Sequence, residues 1–486
     1  MSAPSEQSSK GFLRRFRDLV DELGRCENLS LDGAVRLGSK KVRFPGALVP
    51  VQIQLGRDGG KRLNLHPELT LKADGSVATT RDYLLYDPDG FCAAVGGFLR
   101  LRQGDALVLG RADRPQRRLL KYPKTVADRH LSLKLGGDGL VLKDLSPAHG
   151  TCISPLRWRP LADRLAACRR EKLERLVRLF GGPLEPLPRE EAGDLIEAVI
   201  NLNEREPRQA ADVEGHCGGV VALPTAMDVF FIGDLHARVD NLLVVLTQNG
   251  FLEGLESGTA ALVILGDAVH PDADGAEEYM DSSMLMMDLI FRLKLAFPDR
   301  VFYLRGNHDS YSEEISKNGV PQGLLWEQAL HEVRGASYAR AMSRLYETLP
   351  YVALSRLFIA CHAGAPTFKI SRDMLINIRQ YPKLEREITH VRLQKPSSPS
   401  GYNRSDVRRL RRRLELDEDT PLIVGHTPLS DADTLWQNAG GIPNHHVLFG
   451  AHPHWVGVIA LAGGRLLPLR YPAEPLTELF NRIATG

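Results

Sequence analysis

Seven side chains able to hold metals or move protons sit in five short motifs between residues 233 and 426. The motifs are Gly233-Asp234-Leu235-His236, Gly266-Asp267, Arg305-Gly306-Asn307-His308-Asp309, Cys361-His362 and Gly425-His426. Asp234, Asp267 and Asn307 offer hard oxygen donors; His236, His308, His362 and His426 offer imidazoles. That mixture suits two transition-metal ions sharing a carboxylate, an arrangement used in phosphate-ester hydrolysis.

Each motif ends an apolar run. The runs are Val229–Ile232, Leu262–Leu265, Val301–Leu304, Leu357–Ala360 and Leu422–Val424, with the length and the β-branched or aromatic content of fully buried strands. In sheets covered by helices, ligands collect outside the strand ends. The five motifs are therefore expected to converge there.

The order of the motifs resembles the PPP-type metallophosphoesterases, the superfamily of Ser/Thr protein phosphatases. Their pattern is GDxH, GDxVDRG, GNH plus an acid, an HGG-type loop and a late His. Asn203-Glu204-Arg205-Glu206-Pro207, Phe297-Pro298-Asp299-Arg300-Val301 and Leu349-Pro350 extend the resemblance, which covers about residues 190 to 470. It implies that Asp234 and His236 bind a first metal, that Asp267 bridges, and that Asn307, His362 and His426 complete a second. It further implies hydroxide generated between two divalent ions (manganese, with iron or zinc as alternatives), in-line attack on phosphorus, and His308 as general acid.

The chain departs from that family after Gly266-Asp267-Ala268-Val269, where an Asp and an Arg are expected and His270 and Pro271 stand. A neutral His270 could still accept a hydrogen bond from the catalytic imidazole; Asp309 or Asp272 is left to supply the missing charge. The missing Arg removes a bidentate phosphate contact. Arg238 and Arg404 are the candidate replacements. Ala237 and Ala363 replace glycines of the family pattern, each adding a methyl that narrows the backbone's choices. Gly450-Ala451-His452-Pro453-His454 reads as a surface turn, with substrate contact as its alternative.

The amino-terminal half has another pattern. Short alternating runs such as Val51-Gln52-Ile53-Gln54-Leu55 and Phe98-Leu99-Arg100-Leu101, punctuated by glycine, argue for an all-β sandwich. Gly110-Arg111, Ala127-Asp128-Arg129-His130 and Asp144-Leu145-Ser146-Pro147-Ala148-His149-Gly150-Thr151 resemble, in order, the forkhead-associated (FHA) domain. That resemblance implies phosphothreonine reading through Arg111, in a site where Ala127 and His149 stand for the usual serine and asparagine. A basic loop of Arg114, Arg117, Arg118, Lys121 and Lys124 adjoins it.

The expected chain is thus multidomain: a Ser-rich start with an amphipathic stripe of Phe12, Phe16, Val20 and Leu23 over 1–44, and an FHA-like β-sandwich over 45–156. A helical connector with a Gly/Pro hinge follows over 157–189, then an α/β metallophosphoesterase domain, a central β-sandwich flanked by helices, over 190–486. With 62 Lys and Arg against 60 Asp and Glu, no basic footprint points to nucleic acid. Six scattered cysteines without a CxxC pair, and no apolar stretch able to span a bilayer, point to a cytoplasmic protein. Two functions of the phosphatase kind are open: a phosphoprotein phosphatase guided by the FHA-like module, and a small-molecule phosphoesterase acting on dinucleoside polyphosphates. A pseudophosphatase scaffold is the third reading. Partners are expected to be phosphoproteins.

Overall fold

The computed structural model describes residues 27–28, 33–39, 41–45, 50–57, 59–88, 98–112, 120, 122–136, 139–273, 275–395 and 397–486. The amphipathic stripe and Arg114, Arg117, Arg118 and Lys121 lie outside the described residues. The chain divides into two compact units, one within residues 1–69, 79–91 and 96–164, the other within 70–78, 92–95 and 165–486.

The first unit is a pair of mostly antiparallel sheets. Its strands are β1 (Glu27–Asn28), β2 (Val35–Leu37), β3 (Lys41–Pro45), β4 (Val51–Leu55), β5 (Lys61–Leu71), β6 (Val77–Tyr86), β7 (Phe98–Leu101), β8 (Ala106–Leu109), β9 (Leu131–Gly136), β10 (Gly139–Asp144) and β11 (Thr151–Pro155). One sheet runs β1-β3-β10-β9-β8 and the other β2-β11-β4-β5-β6-β7. Period-two alternation builds the core: Val51, Ile53 and Leu55 of β4 point in, together with Leu63, Leu133, Leu142 and Ile153. The sandwich begins earlier than residue 45, since β3 pairs with β10 and β2 with β11. In β3 the single buried Val42 between Lys41 and Arg43 is too weak a period to announce a strand.

Helix α1 (Trp158–Phe180) follows, and Leu173, Leu176 and Phe180 are buried. Gly181 and Gly182 end it at φ +100° and +153°. The second unit continues with α2 (Arg189–Glu204), β12 (Gln209–Ala211), β13 (Cys217–Ala222), β14 (Asp228–Ile232), α3 (Val239–Thr247), α4 (Phe251–Glu256), β15 (Ala260–Ile264), α5 (Asp281–Ala296), β16 (Val301–Tyr303), α6 (Gln322–Val333), α7 (Ala336–Thr348), β17 (Val352–Ser355) and β18 (Phe358–Cys361). It closes with α8 (Arg372–Ile376), α9 (Pro382–His390), α10 (Arg404–Arg413), β19 (Leu422–Val424), β20 (Leu435–Gln437), β21 (His445–Leu448), β22 (Trp455–Ala462), β23 (Arg465–Pro472) and α11 (Leu476–Thr485).

Two sheets, β12-β13-β17-β18-β19-β21-β20 and β16-β15-β14-β22-β23, share a core that includes Phe231, Val263, Ala353, Phe358, Ile423 and Leu448. Strands β14, β15 and β16 run parallel, as do β18, β19 and β21. Every residue of β15, β18, β19 and β21 is buried, which is why their sequences lack alternation. The carboxyl ends of β14, β15, β16, β18 and β19 carry the five motifs. Among the described residues no helix is long and apolar enough to cross a membrane. Cys152, Cys217 and Cys361 are free thiols, and burial pushes the Cys361 thiol up to about 12.

Candidate metal centre and its cleft

Two donor triads meet at the strand ends: Asp234, His236 and Asp267, and Asp267, His362 and His426. Asp267 belongs to both, the place a bridging carboxylate must occupy. The atoms of each triad lie within 4.8 Å of one another. Asn307 joins the second through Oδ1, 2.9 Å from His362 Nε2. His362 Nε2 also lies 3.2 Å from Asp267 Oδ2 and 3.2 Å from His426 Nδ1.

The backbone chooses which imidazole nitrogen faces inward. His362 Nδ1 donates to the Leu265 carbonyl at 2.8 Å, and His236 Nδ1 to the His270 carbonyl at 3.1 Å. His426 uses its other nitrogen, Nε2, on the His390 carbonyl at 3.1 Å. With these protons spent on carbonyls, His362 Nε2, His236 Nε2 and His426 Nδ1 are left as lone-pair donors, and this tautomer control is how proteins prepare metal ligands. Divalent manganese, iron or zinc fits this set of carboxylate, amide and neutral imidazole donors.

Electrostatics agree with a cation site. Burial opposes charge on the His362 imidazole, yet the Asp267 and Asp234 carboxylates outweigh it and push it up to about 10. Burial, reinforced by Asp267, raises Asp234 to about 6. Asp267 is held well below the usual carboxylate range; burial acts against this, and His362 and His308 overcome it. The negative potential that holds a second proton on His362 Nε2 in the metal-free chain would equally hold divalent cations, which would take that proton's place and leave Nε2 as a lone-pair donor.

Tight turns bring the ligands this close. Asp267 φ is +52°, His236 +40°, Ala237 +60°, His270 +67° and His426 +65°. Elsewhere among the described residues, left-handed non-glycine backbone falls on Asn249, Asn318, Asn438, Asn444 and Glu415. Asparagine tolerates that region best, aspartate and histidine less well, and alanine is strained there; left-handed non-glycine residues cluster at working sites. Ala237 therefore holds a conformation that glycine adopts freely. Glycine is indispensable at two other points: a Cβ on Gly425 would enter the Asp234 carboxylate, and one on Gly306 the Asp267 carboxylate. Ala363 keeps an ordinary φ, and its N–H donates to the Ile388 carbonyl at 2.9 Å.

Around the ligands lies a cleft of about 670 Å³ lined by His236, Arg238, Asp272, His308, Lys317 and His426 among others. His308 and His270 face each other, Nδ1 to Nδ1, at 3.1 Å. Burial lowers His308 to about 4, and burial with His308's charge takes His270 well below its usual range. Both are neutral imidazoles. His270 is fully buried and its Nε2 has no hydrogen-bond partner. A buried N–H without an acceptor is the rarest orphan, so the proton belongs on His270 Nδ1, donating to His308 Nδ1. His308 then carries its own proton on Nε2.

Asp309 and Asp272 do not fill the place left by the missing aspartate. Asp309 Oδ2 accepts from Gly306 N at 2.7 Å and Asp267 N at 3.2 Å, and Oδ1 accepts from the Tyr303 hydroxyl. The Tyr303 hydroxyl also accepts from Ala268 N at 3.1 Å. Asp309 thus ties two metal loops together from behind. The Asp272 carboxylate lies 3.4 Å from Arg238 Nε. Arg404 is exposed at the start of α10, behind an Asn403–Asp406 capping box, and does not line the cleft. Arg238 does. His452 lines the cleft wall, but Nδ1 accepts from His454 N and Trp455 N and Nε2 donates to the Asp431 carbonyl, the bonding of a structural turn.

In the first unit, Arg111 pairs with Asp128 at 3.1 Å, and its N–H donates to the Ala127 carbonyl. Buried His130 accepts from Ala127 N at 3.0 Å and donates to the Gly150 carbonyl at 3.0 Å, so one imidazole joins two of the loops. His149 is exposed and bonded to Ser146 Oγ at 2.8 Å.

Sequence reasoning missed the carbonyls of Leu265, His270 and His390, the Tyr303 hydroxyl, and Lys317. Only Tyr303 left a signal, a hydroxyl inside an otherwise apolar buried strand.

Residues 227–455 match the calcineurin-like phosphoesterase family. The serine/threonine-protein phosphatase rdgC of Drosophila melanogaster is 38% identical over 89 residues, covering 18% of this chain and 12% of the fly protein. Serine/threonine-protein phosphatase 7 of Arabidopsis thaliana is 31% identical over 97 residues, covering 20% of this chain and 21% of the plant protein. The chain therefore aligns with only 12% and 21% of the length of these two curated relatives. A solved Saccharomyces cerevisiae serine/threonine phosphatase, described as similar to human phosphatase PP5, superposes with a TM-score of 0.46 at 16% identity, covering 59% of this chain and 90% of that one.

Proposed function

We propose that this chain, which carries a calcineurin-like metallophosphoesterase domain, is a metal-dependent phosphatase that hydrolyses phosphomonoesters of serine or threonine in proteins. The observation that carries the reading is the convergence of two donor triads on Asp267, with three imidazole tautomers set by backbone carbonyls. Asp234, His236 and Asp267 would hold one divalent ion, and Asp267, Asn307, His362 and His426 the other. Two such ions, when bound, supply Lewis acidity toward the phosphoryl oxygens and a nucleophile drawn from water.

The chain's own residues supply the rest. Arg238, on the cleft wall, holds a phosphoryl oxygen. His308 donates a hydrogen bond from Nε2 to the departing alkoxide, which takes its proton from water, and His270, donating to His308 Nδ1, keeps the His308 proton on the correct nitrogen. Asp309 and Tyr303 keep Asp267 and Asn307 in register. The first unit, through Arg111 and His149, binds a phosphothreonine segment of the target protein.

The test is manganese-dependent turnover of para-nitrophenyl phosphate and of phosphoserine and phosphothreonine peptides, beside diadenosine tetraphosphate. Release of phosphate from the peptides, lost in Asp267→Asn, is the expected result. Preference for the dinucleotide would overturn the protein substrate, and an unchanged rate in Asp267→Asn would overturn the metal bridge. For the first unit, calorimetry with phosphothreonine peptides should give heat in the wild type and none in Arg111→Ala.

A further inference from the structure

The residue that follows Pro271, where the family's phosphate-clamping arginine is absent, is an acid gripped by two cations. Arg238 Nε stands 3.4 Å from Asp272 Oδ1, and Lys317 Nζ bonds the Asp272 carbonyl. The arginine contact is an ion pair without a hydrogen bond: Arg238 Nε and Asp272 Oδ1 are both buried, and neither has a hydrogen-bond partner. Such half-made pairs are costly, because each group has lost water without gaining a directed bond.

The surroundings hold Asp272 at that spot. Gln322 Nε2 donates to the carbonyls of Pro271, at 2.8 Å, and Glu277, at 3.2 Å. Lys317 stands on a tight turn closed by paired backbone bonds with Val320, at 3.1 and 2.8 Å. Arg238, Asp272 and Lys317 line the same cleft as His236 and His308, so the pair lies beside the reacting groups.

We infer that Asp272 is a specificity-determining residue: its carboxylate occupies Arg238 and gives way only to a phosphoryl group that carries two negative charges. The inference rests on the phosphatase reading above. A monoester dianion brings more charge than the carboxylate and can take up the unsatisfied Arg238 Nε, with Lys317 as the neighbouring cation. A diester carries one charge, no more than Asp272, and has no electrostatic advantage in the exchange. The cleft therefore selects phosphomonoesters over phosphodiesters.

The experiment compares manganese-loaded full-length wild type with Asp272→Asn, which keeps the side chain's shape and removes its charge. Substrates are para-nitrophenyl phosphate and bis(para-nitrophenyl) phosphate; inorganic phosphate binding is measured separately by calorimetry. Asp272→Asn should lower KM for the monoester about two- to fivefold, the range expected on releasing one partly exposed ion pair. It should tighten phosphate binding by a similar factor and raise diester turnover relative to monoester turnover. Unchanged KM, phosphate affinity and selectivity, or a higher KM, would overturn the inference while leaving the phosphatase reading intact. If neither ester is cleaved by the wild type, that reading fails, and tighter phosphate binding in Asp272→Asn still supports Asp272 as the competing anion.

Discussion

His445 makes the second unit acid-sensitive, and the size of the effect can be worked out. Its side chain is fully buried, with Nδ1 donating to the Ala439 carbonyl at 3.1 Å and Nε2 accepting from the Tyr402 hydroxyl at 2.9 Å. Burial, only partly opposed by the Ala439 carbonyl, lowers it from 6.5 to about 4. Between those values the unfolded chain binds the proton and the folded chain does not. Stability therefore rises with pH across this window and is lost as pH falls from 6.5 toward 4. At about 1.4 kcal/mol per unit the loss from this residue is about 2 kcal/mol at pH 5 and about 3 kcal/mol at pH 4. The consequence reaches the metal site, because the Tyr402 ring fills the space where a Cβ on Gly364, two residues after His362, would stand. The assay is urea unfolding at pH 7.5 and pH 5, followed through buried Trp326, in wild type and His445→Gln. Other buried imidazoles contribute equally to both proteins and cancel. The difference between the two pH values should shrink by about 2 kcal/mol in the variant. An identical pH dependence in both would refute the reasoning.

Three further outcomes follow from the loops. Ala237→Gly removes a methyl from a residue at φ +60°, and thermal unfolding should show a gain of about 0.5 to 1 kcal/mol after the extra flexibility of glycine in the unfolded chain is counted. Tyr303→Phe strips the hydroxyl from buried Asp309; chemical denaturation should register a loss of about 1 to 3 kcal/mol, with weaker manganese retention on dialysis. Gly425→Ala drives a Cβ into Asp234, whose two oxygens each accept from His426 N at 2.9 Å; calorimetry should show manganese affinity falling about 10- to 100-fold.

The convergence of the donor residues was legible because three constraints coincide at four of the five motifs, Cys361-His362 lacking the glycine. A buried parallel strand needs an unbroken apolar run, its sharp exit needs glycine, and the ligand must come next. Gly266-Asp267 and Gly425-His426 show all three. The rest was illegible for physical reasons. The carbonyls that set the imidazole tautomers leave no trace in residue type, since every residue has one. Asp309 turned to the backbone because the Tyr303 hydroxyl and two N–H groups were already there, whereas the sequence offered it to His308. Arg238 and Arg404 were equivalent as letters; a capping box carries Arg404 away from the cleft. Arg411, one of a run of arginines in α10 that the letters do not tell apart, is buried and donates to the carbonyls of Glu418, Pro443 and Asn444. The early strands β2 and β3 are short and charged, and only long-range pairing identifies them.

The central claim is that one carboxylate serves two cations. Its most direct test is the number of divalent ions retained per folded chain, counted by elemental analysis after manganese loading and dialysis. Two are expected in the wild type, with Asp267→Asn losing both or keeping one loosely. One ion or none in the wild type, or two still tightly held by Asp267→Asn, would contradict it.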